Sequence, residues 1–246
     1  MKKLIAGTIV AVAALLGAIA PASAQQFSDD ERQAIETIMR DYLLENPEVL
    51  REALTILQQR EEQAETERLR LAVSQHLDEL HNSPTSPFIG NPDGDVTLVE
   101  FFDYQCGYCK SIASHVFDVV DADANVKVVL KEIPILGPAS TVAAQAALAA
   151  KQQDKYVEMH NALMTHRGQL SERVIFDIAR DTGLDIDQLR ADMESPAVMD
   201  EINANLELSR NIGVRGTPAF VVDDTVVPGA VPLEHLVDLI ADARSS

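Results

Sequence analysis

Only two of the chain's 246 residues are cysteine, and they stand three positions apart, at Cys106 and Cys109. A bridge between them would close almost no loop, and the stability gained from a cross-link grows with the loop closed, so the pair is chemical rather than structural. Its flanks constrain the local fold. Val96 to Phe102 is a β-rich run ending at about Asp103, and Cys106 then opens a segment with Ile112, Val116, Phe117 and Val120 on one helical face. Val126-Lys127-Val128-Val129-Leu130 is a second strand. A strand, a helix and a strand in this order form a right-handed unit with parallel strands, which makes the fold class α/β.

The position of the pair suggests its chemistry. A thiol at a helix start meets unpaired backbone N–H groups and the positive end of the helix dipole, both of which stabilise a thiolate. Cys106 is therefore the expected attacking or accepting sulfur, and Cys109, one turn later, the less exposed resolving one. Other uses of a C-x-x-C fit poorly. A zinc site needs two more ligands, and the six histidines (His76, His81, His115, His160, His166, His235) show no paired ligand spacing, so no metal is expected. Haem attachment needs a histidine after the second cysteine, where Lys110 stands. Thiol exchange runs on the two sulfurs alone, and no cofactor is expected.

The rest of the chain divides into regions of different character. Residues 138–212 read as almost wholly helical, and strand signals return at Ala219 to Val222 and at Val226-Val227 before a closing amphipathic helix. The pattern is a small α/β domain, in two halves at 96–137 and 213–246, interrupted by a helical insertion at 138–212. Upstream, from Ser28 to about His81, the sequence is helical and free of glycine. Ser28-Asp29-Asp30-Glu31 fits a capping box, with Ile35, Ile38, Tyr42 and Leu43 at helical spacing behind it. Asn46-Pro47 then starts a second helix, expected to run to Leu80 if continuous. Leu50, Leu54 and Leu57 form one apolar seam of that helix, and Leu69, Val73, Leu77 and Leu80 a second. Between them, from Gln58 to Arg68, the only apolar residue is Ala64. Two seams joined by a charged spacer suggest self-association through the seams, which makes 25–83 an oligomerisation region and 84–95 a linker. The alternative is that both seams pack onto the body of the same chain.

Lys2 and Lys3, an apolar run from Leu4 to Ala20, and Ala22-Ser23-Ala24 read as a signal peptide over 1–24, cleaved after Ala24, with export to the periplasm. The exported protein then carries 18 basic residues, 20 less the two signal lysines, against 39 acidic ones, a net charge of −21. A polyanion is a poor partner for nucleic acid or anionic lipid, and no later segment is long and apolar enough to insert in a membrane.

From Phe88 onward the chain resembles the DsbA-like thiol:disulfide oxidoreductases, whose fold is a thioredoxin fold with an inserted helical domain. The marks are the strand ending at the C-x-x-C, the helical insertion, and Gly216-Thr217-Pro218-Ala219-Phe220. The resemblance implies that Cys106 and Cys109 form a redox-active disulfide and that Pro218 is cis and faces them. It also implies that the backbone of Thr217 pairs with an extended substrate peptide. Glu100, six residues before Cys106, matches a buried acid of the family that exchanges a proton with the second cysteine. Tyr108 tunes the site by shape and hydrogen bonding, while Asp103 and Tyr104 line the groove or help pack it.

Strong oxidases of the family carry Pro-His between the cysteines and Val before the cis-proline. Gly107-Tyr108 and Thr217 stand here instead, as in the periplasmic disulfide isomerases. A helical oligomerisation region joined to a DsbA-like domain is similar to the ScsC (suppressor of copper sensitivity) proteins, which are trimers with isomerase activity. The implied function is a disulfide isomerase or reductase for misoxidised or unfolded exported proteins, working as a homo-oligomer, with a trimer favoured, and served by a membrane thiol-disulfide partner. Two alternatives stay open: a dithiol oxidase, and a copper(I)-binding or holdase protein of a copper-stress response.

Overall fold

A computed structural model describes residues 27–245; the expected signal peptide lies outside them. The chain divides into two compact units between Gln58 and Gln59. In the first, α1 (Asp29–Glu45) starts on the expected capping box. The Glu31 N–H donates to Ser28 Oγ at 3.3 Å, and the Ser28 N–H donates to Glu31 Oε2 at 2.8 Å. No residue of α1 is buried. Helix α2 (Glu48–Gln75) begins at Asn46-Pro47, and Leu50, Leu54 and Leu57 are exposed along it. No helix among the described residues is long and apolar enough to cross a membrane.

The second unit holds the sheet. Its strands are β1 (Phe88–Gly90), β2 (Val96–Phe102), β3 (Val126–Glu132), β4 (Ala219–Val222) and β5 (Thr225–Pro228), in the order β1-β3-β2-β4-β5. Strands β2 and β3 are parallel, as the strand–helix–strand reading requires, and every other pairing is antiparallel. The segment expected as a linker thus carries an edge strand. Between β2 and β3 lies α4 (Gly107–Ala122). Five α-helices separate β3 from β4: α5 (Pro138–Ala150), α6 (Tyr156–Thr165), α7 (Glu172–Asp181), α8 (Ile186–Met193) and α9 (Pro196–Asn211). Helix α5 is buried through six of its alanines, whose small side chains let α6, α7, α8 and α9 all approach it.

Strand β2 is central and buried on both faces, so it reads as a continuous apolar run rather than an alternating one. Leu98 and Phe102 face the core shared with α4 and the C-terminal helix α10 (Leu233–Ser245), whereas Val99 and Phe101 face the opposite side. That opposite side shows which seam is used within the chain. Val73 and Leu80, both 0% exposed, pack there with Phe101, Val129, Ile133 and Leu208, and Leu77 packs beside them. The second seam therefore belongs to the core of this unit and not to a self-association surface. The helical region accordingly does not separate as a block at residue 83. Nor is its helix continuous to Leu80: the His76 N–H donates to the Val73 carbonyl at 2.9 Å, closing α2 with a tight turn before the short α3 (Leu77–His81).

Candidate active site

The turn between β2 and α4 is built around Asp103, which is buried. Its carbonyl accepts from the Cys106 N–H at 3.0 Å, and its Oδ1 accepts from the Gln105 N–H at 2.7 Å. Its Oδ2 accepts from the N–H groups of Ile135 and Leu136 at 2.9 and 3.0 Å. Asp103 thus clamps the loop after β3 beside the cysteines, a fixed structural role that the sequence left between groove lining and packing. Cys106 is the N-cap of α4, and its Sγ accepts from the Cys109 N–H at 3.3 Å.

Both thiols are free, with Cys106 6% exposed and Cys109 fully buried. Cys106 is held down to about 5, chiefly by its hydrogen bond with the Cys109 thiol and then by the Thr217 side chain and the N–H groups of Cys109 and Tyr108. Cys109 is pushed far up by the same sulfur–sulfur contact, by burial and by the charge of Glu100. At neutral pH one sulfur is therefore a ready nucleophile and the other keeps its proton.

Three further elements converge on the pair. Thr217-Pro218 is a cis peptide, and the Thr217 carbonyl lies 3.3 Å from Cys106 Sγ, so a protonated Cys106 donates to it. Thr217 and Pro218 border a groove of about 480 Å³ with Val214, Gly216 and, from α2, Glu65 and Leu69. Tyr108, 72% exposed, stands at the mouth of the dithiol, and the clamped loop exposes Ile135 and Leu136. Glu100 is 1% exposed, with Oε1 unpartnered, so it is not a solvated strand carboxylate. Burial first, then the charges of Cys106 and Glu132, raise it to about 8.

Comparison with known proteins places this geometry in a family. Residues 97–241 match the DSBA-like thioredoxin domain. The chain belongs to the DsbA-like thioredoxin family. Residues 31–64 also match the copper resistance protein ScsC N-terminal domain. A thioredoxin-like oxidoreductase from Silicibacter pomeroyi DSS-3 is 49% identical, over 69% of this chain and 98% of that one, with a TM-score of 0.68. Proteus mirabilis ScsC in a transitional conformation is 31% identical, over 89% of this chain and 99% of that one, with a TM-score of 0.67. Among curated relatives, Na(+)/H(+) antiporter NhaA 1 of Salinispora arenicola is 29% identical over 156 residues, or 63% of this chain. The chain spans only 24% of that relative's length.

In this DsbA-like site, Cys106, Cys109, Glu100, Thr217 and Pro218 come together, and Tyr108 sits at the rim. Sequence reading missed Glu132, Tyr156 and His160: Tyr156 is buried in the same core as the dithiol, Glu132 is hydrogen-bonded to Tyr156, and His160 stacks on Tyr156 and meets the Phe102 ring edge-on. Only Glu132 carried a usable signal: it ends the strand parallel to β2, with the same side-chain parity as Val128 and Leu130. Among the described residues no group of three or more His, Cys, Asp or Glu is arranged to hold a metal ion.

Proposed function

We propose that the protein is a periplasmic thiol:disulfide oxidoreductase that works as a disulfide isomerase or reductase on misoxidised exported proteins. The observation that carries thiol exchange is the asymmetry of the two sulfurs, with Cys106 held near 5 at the helix cap and Cys109 buried and protonated beside Glu100, and Gly107-Tyr108 with Thr217 favour the isomerase or reductase direction. Cys106 thiolate attacks a client disulfide and forms a mixed disulfide. The client is then released either to a correct partner thiol or by attack from Cys109, whose proton passes to Glu100. The Thr217 backbone, at the cis-proline, holds an extended client strand, and Tyr108 and Pro218 flank it. The charged, exposed stretch of α2 and the ScsC-like segment favour a homo-oligomer, with a trimer first, that grips one client at several points.

Replacing Cys109 by Ala tests the reading. The variant should accumulate mixed disulfides between Cys106 and client proteins; absence of trapped clients would instead favour copper(I) holding or a holdase role. A second reading, dithiol oxidase, draws on the depressed Cys106, because a stabilised thiolate favours the reduced pair and makes the disulfide more oxidising. Acid quench and thiol alkylation in cells separate the two: a mainly reduced pair supports isomerase or reductase fed by a membrane donor, and a mainly oxidised pair supports the oxidase.

A further inference from the structure

The sheet face beneath α4 holds two buried carboxyls. Glu100 pairs in register with Leu130, and Phe102 with Glu132, on the parallel strands β2 and β3. The two acids are therefore two residues apart along the strand direction and project from the same face. Each is 1% exposed, and each keeps one oxygen with no hydrogen-bond partner, Oε1 of Glu100 and Oε2 of Glu132. Two orphaned carboxyl oxygens on neighbouring strands of one core are unusual, since buried polar atoms are nearly always paired.

Glu132 also has a polar chain behind it. Its Oε1 accepts from the Tyr156 hydroxyl at 2.5 Å. The Tyr104 hydroxyl is within hydrogen-bonding reach of Tyr156 and lies 3.0 Å from His160 Nδ1. Burial holds His160 down to about 3, so its ring stays neutral. The charged groups facing the pair are thus few. At the start of α4 they are Cys106 and Cys109; Lys131 projects to the other face, where Ser86 Oγ accepts from its Nζ at 2.7 Å and in turn donates to Glu201, and from there Lys131 lowers Glu132 while Glu201 raises it.

We propose that Glu132 is a positioning residue for proton transfer at the dithiol: acting through Glu100, it sets the pH at which Glu100 can take the Cys109 proton. This rests on the role given to Glu100 above. In the step concerned, Cys109 gives its proton to the Glu100 carboxylate and its sulfur attacks Cys106 of the mixed disulfide. The Cys106–client bond breaks as the Cys106–Cys109 bond forms, and the client leaves as a thiolate that takes a proton from water. The dithiol is oxidised by two electrons and the client disulfide is reduced by two. Two carboxylates in one dry pocket cannot both ionise cheaply, so a charge on Glu132 delays that on Glu100. Glu100 is raised to about 8 by burial first, then by the charges of Cys106 and Glu132, which agrees with this; Glu132 is raised to about 8 chiefly by burial, with Glu201 adding to the rise and Tyr156 and Lys131 opposing it.

The test uses the full chain carrying a preformed mixed disulfide between Cys106 and glutathione, with glutathione release followed against pH. Glu132→Gln should move the midpoint of the release rate to lower pH, by about one unit for a coupled pair. In a Glu100→Gln background it should move nothing further. A shift from Glu100→Gln but none from Glu132→Gln overturns the Glu132 inference alone. No shift from either variant overturns the Glu100 role and the inference with it. If Glu132→Gln does not fold, the reduced-minus-oxidised infrared difference spectrum of the unaltered protein decides: two carboxylic C=O bands should respond to the dithiol, and a single band overturns the proposal.

Discussion

The two apolar seams of the N-terminal helical region have the same residue types at similar spacing and opposite fates. Leu54, in the first, is 66% exposed, whereas Val73 and Leu80, in the second, are 0% exposed against the sheet. Periodicity marks a face that wants cover, but it does not say what covers it. The second seam meets a sheet face already lined by Val99, Phe101 and Val129; the first meets no such surface within its own unit. The exposed apolar stripe is the one on which the proposed self-association would rest.

The largest expected effect tests the buried seam. Leu80→Ala removes a fully buried side chain and should lower stability by about 2–5 kcal/mol in urea unfolding. A loss under about 1 kcal/mol would mean that the seam is peripheral to the core after all. For the same reason, truncation to residue 58 should leave a cooperative unfolding transition in the remaining unit, while truncation to residue 83 should abolish it.

Gly213 tests how closely α2 docks. Its φ is +78°, and a Cβ there would collide with the Leu69 side chain. Gly213→Ala should cost about 1–2 kcal/mol, mostly from the left-handed backbone. Thermal unfolding of the variant in a Leu69→Ala background would separate the two causes: recovery measures the collision, and the remainder the backbone. The smallest effect on stability is expected at the exposed seam. Leu54→Glu should change unfolding by about 0.5 kcal/mol or less. In the homo-oligomer proposed above it should nonetheless cause dissociation in sedimentation velocity, and an unchanged sedimentation coefficient would break the contrast between the seams.

The dithiol sharpens the same lesson in pH terms. Cys106 is depressed to about 5, so in the reduced protein its thiolate contributes stability above the ordinary thiol range and loses that contribution as pH falls through about 5. Thiolate absorbance should therefore titrate with a midpoint near 5, and Thr217→Ala should raise it by removing a hydrogen-bonding side chain.

The strand, the C-x-x-C and the helix it caps could be read directly, because thiolate stabilisation at a helix start depends on neighbours within one turn. The parallel pairing of β2 and β3 and the helical insertion followed from apolar periodicity. Thr217 and Pro218 lie more than a hundred residues from Cys106, and only the family resemblance brought them to the site. Two kinds of fact stayed out of reach. The choice of which seam is buried depends on a complementary sheet face assembled from β2, β3 and α9. The approach of Glu132, with Tyr156 and His160 behind it, to Glu100 depends on strand register and on where α6 lands in the folded insertion. Local pattern encodes what a residue can do within a turn or a strand; long-range packing decides which distant partner it meets, since burial, and with it charge, is fixed only when the layers close.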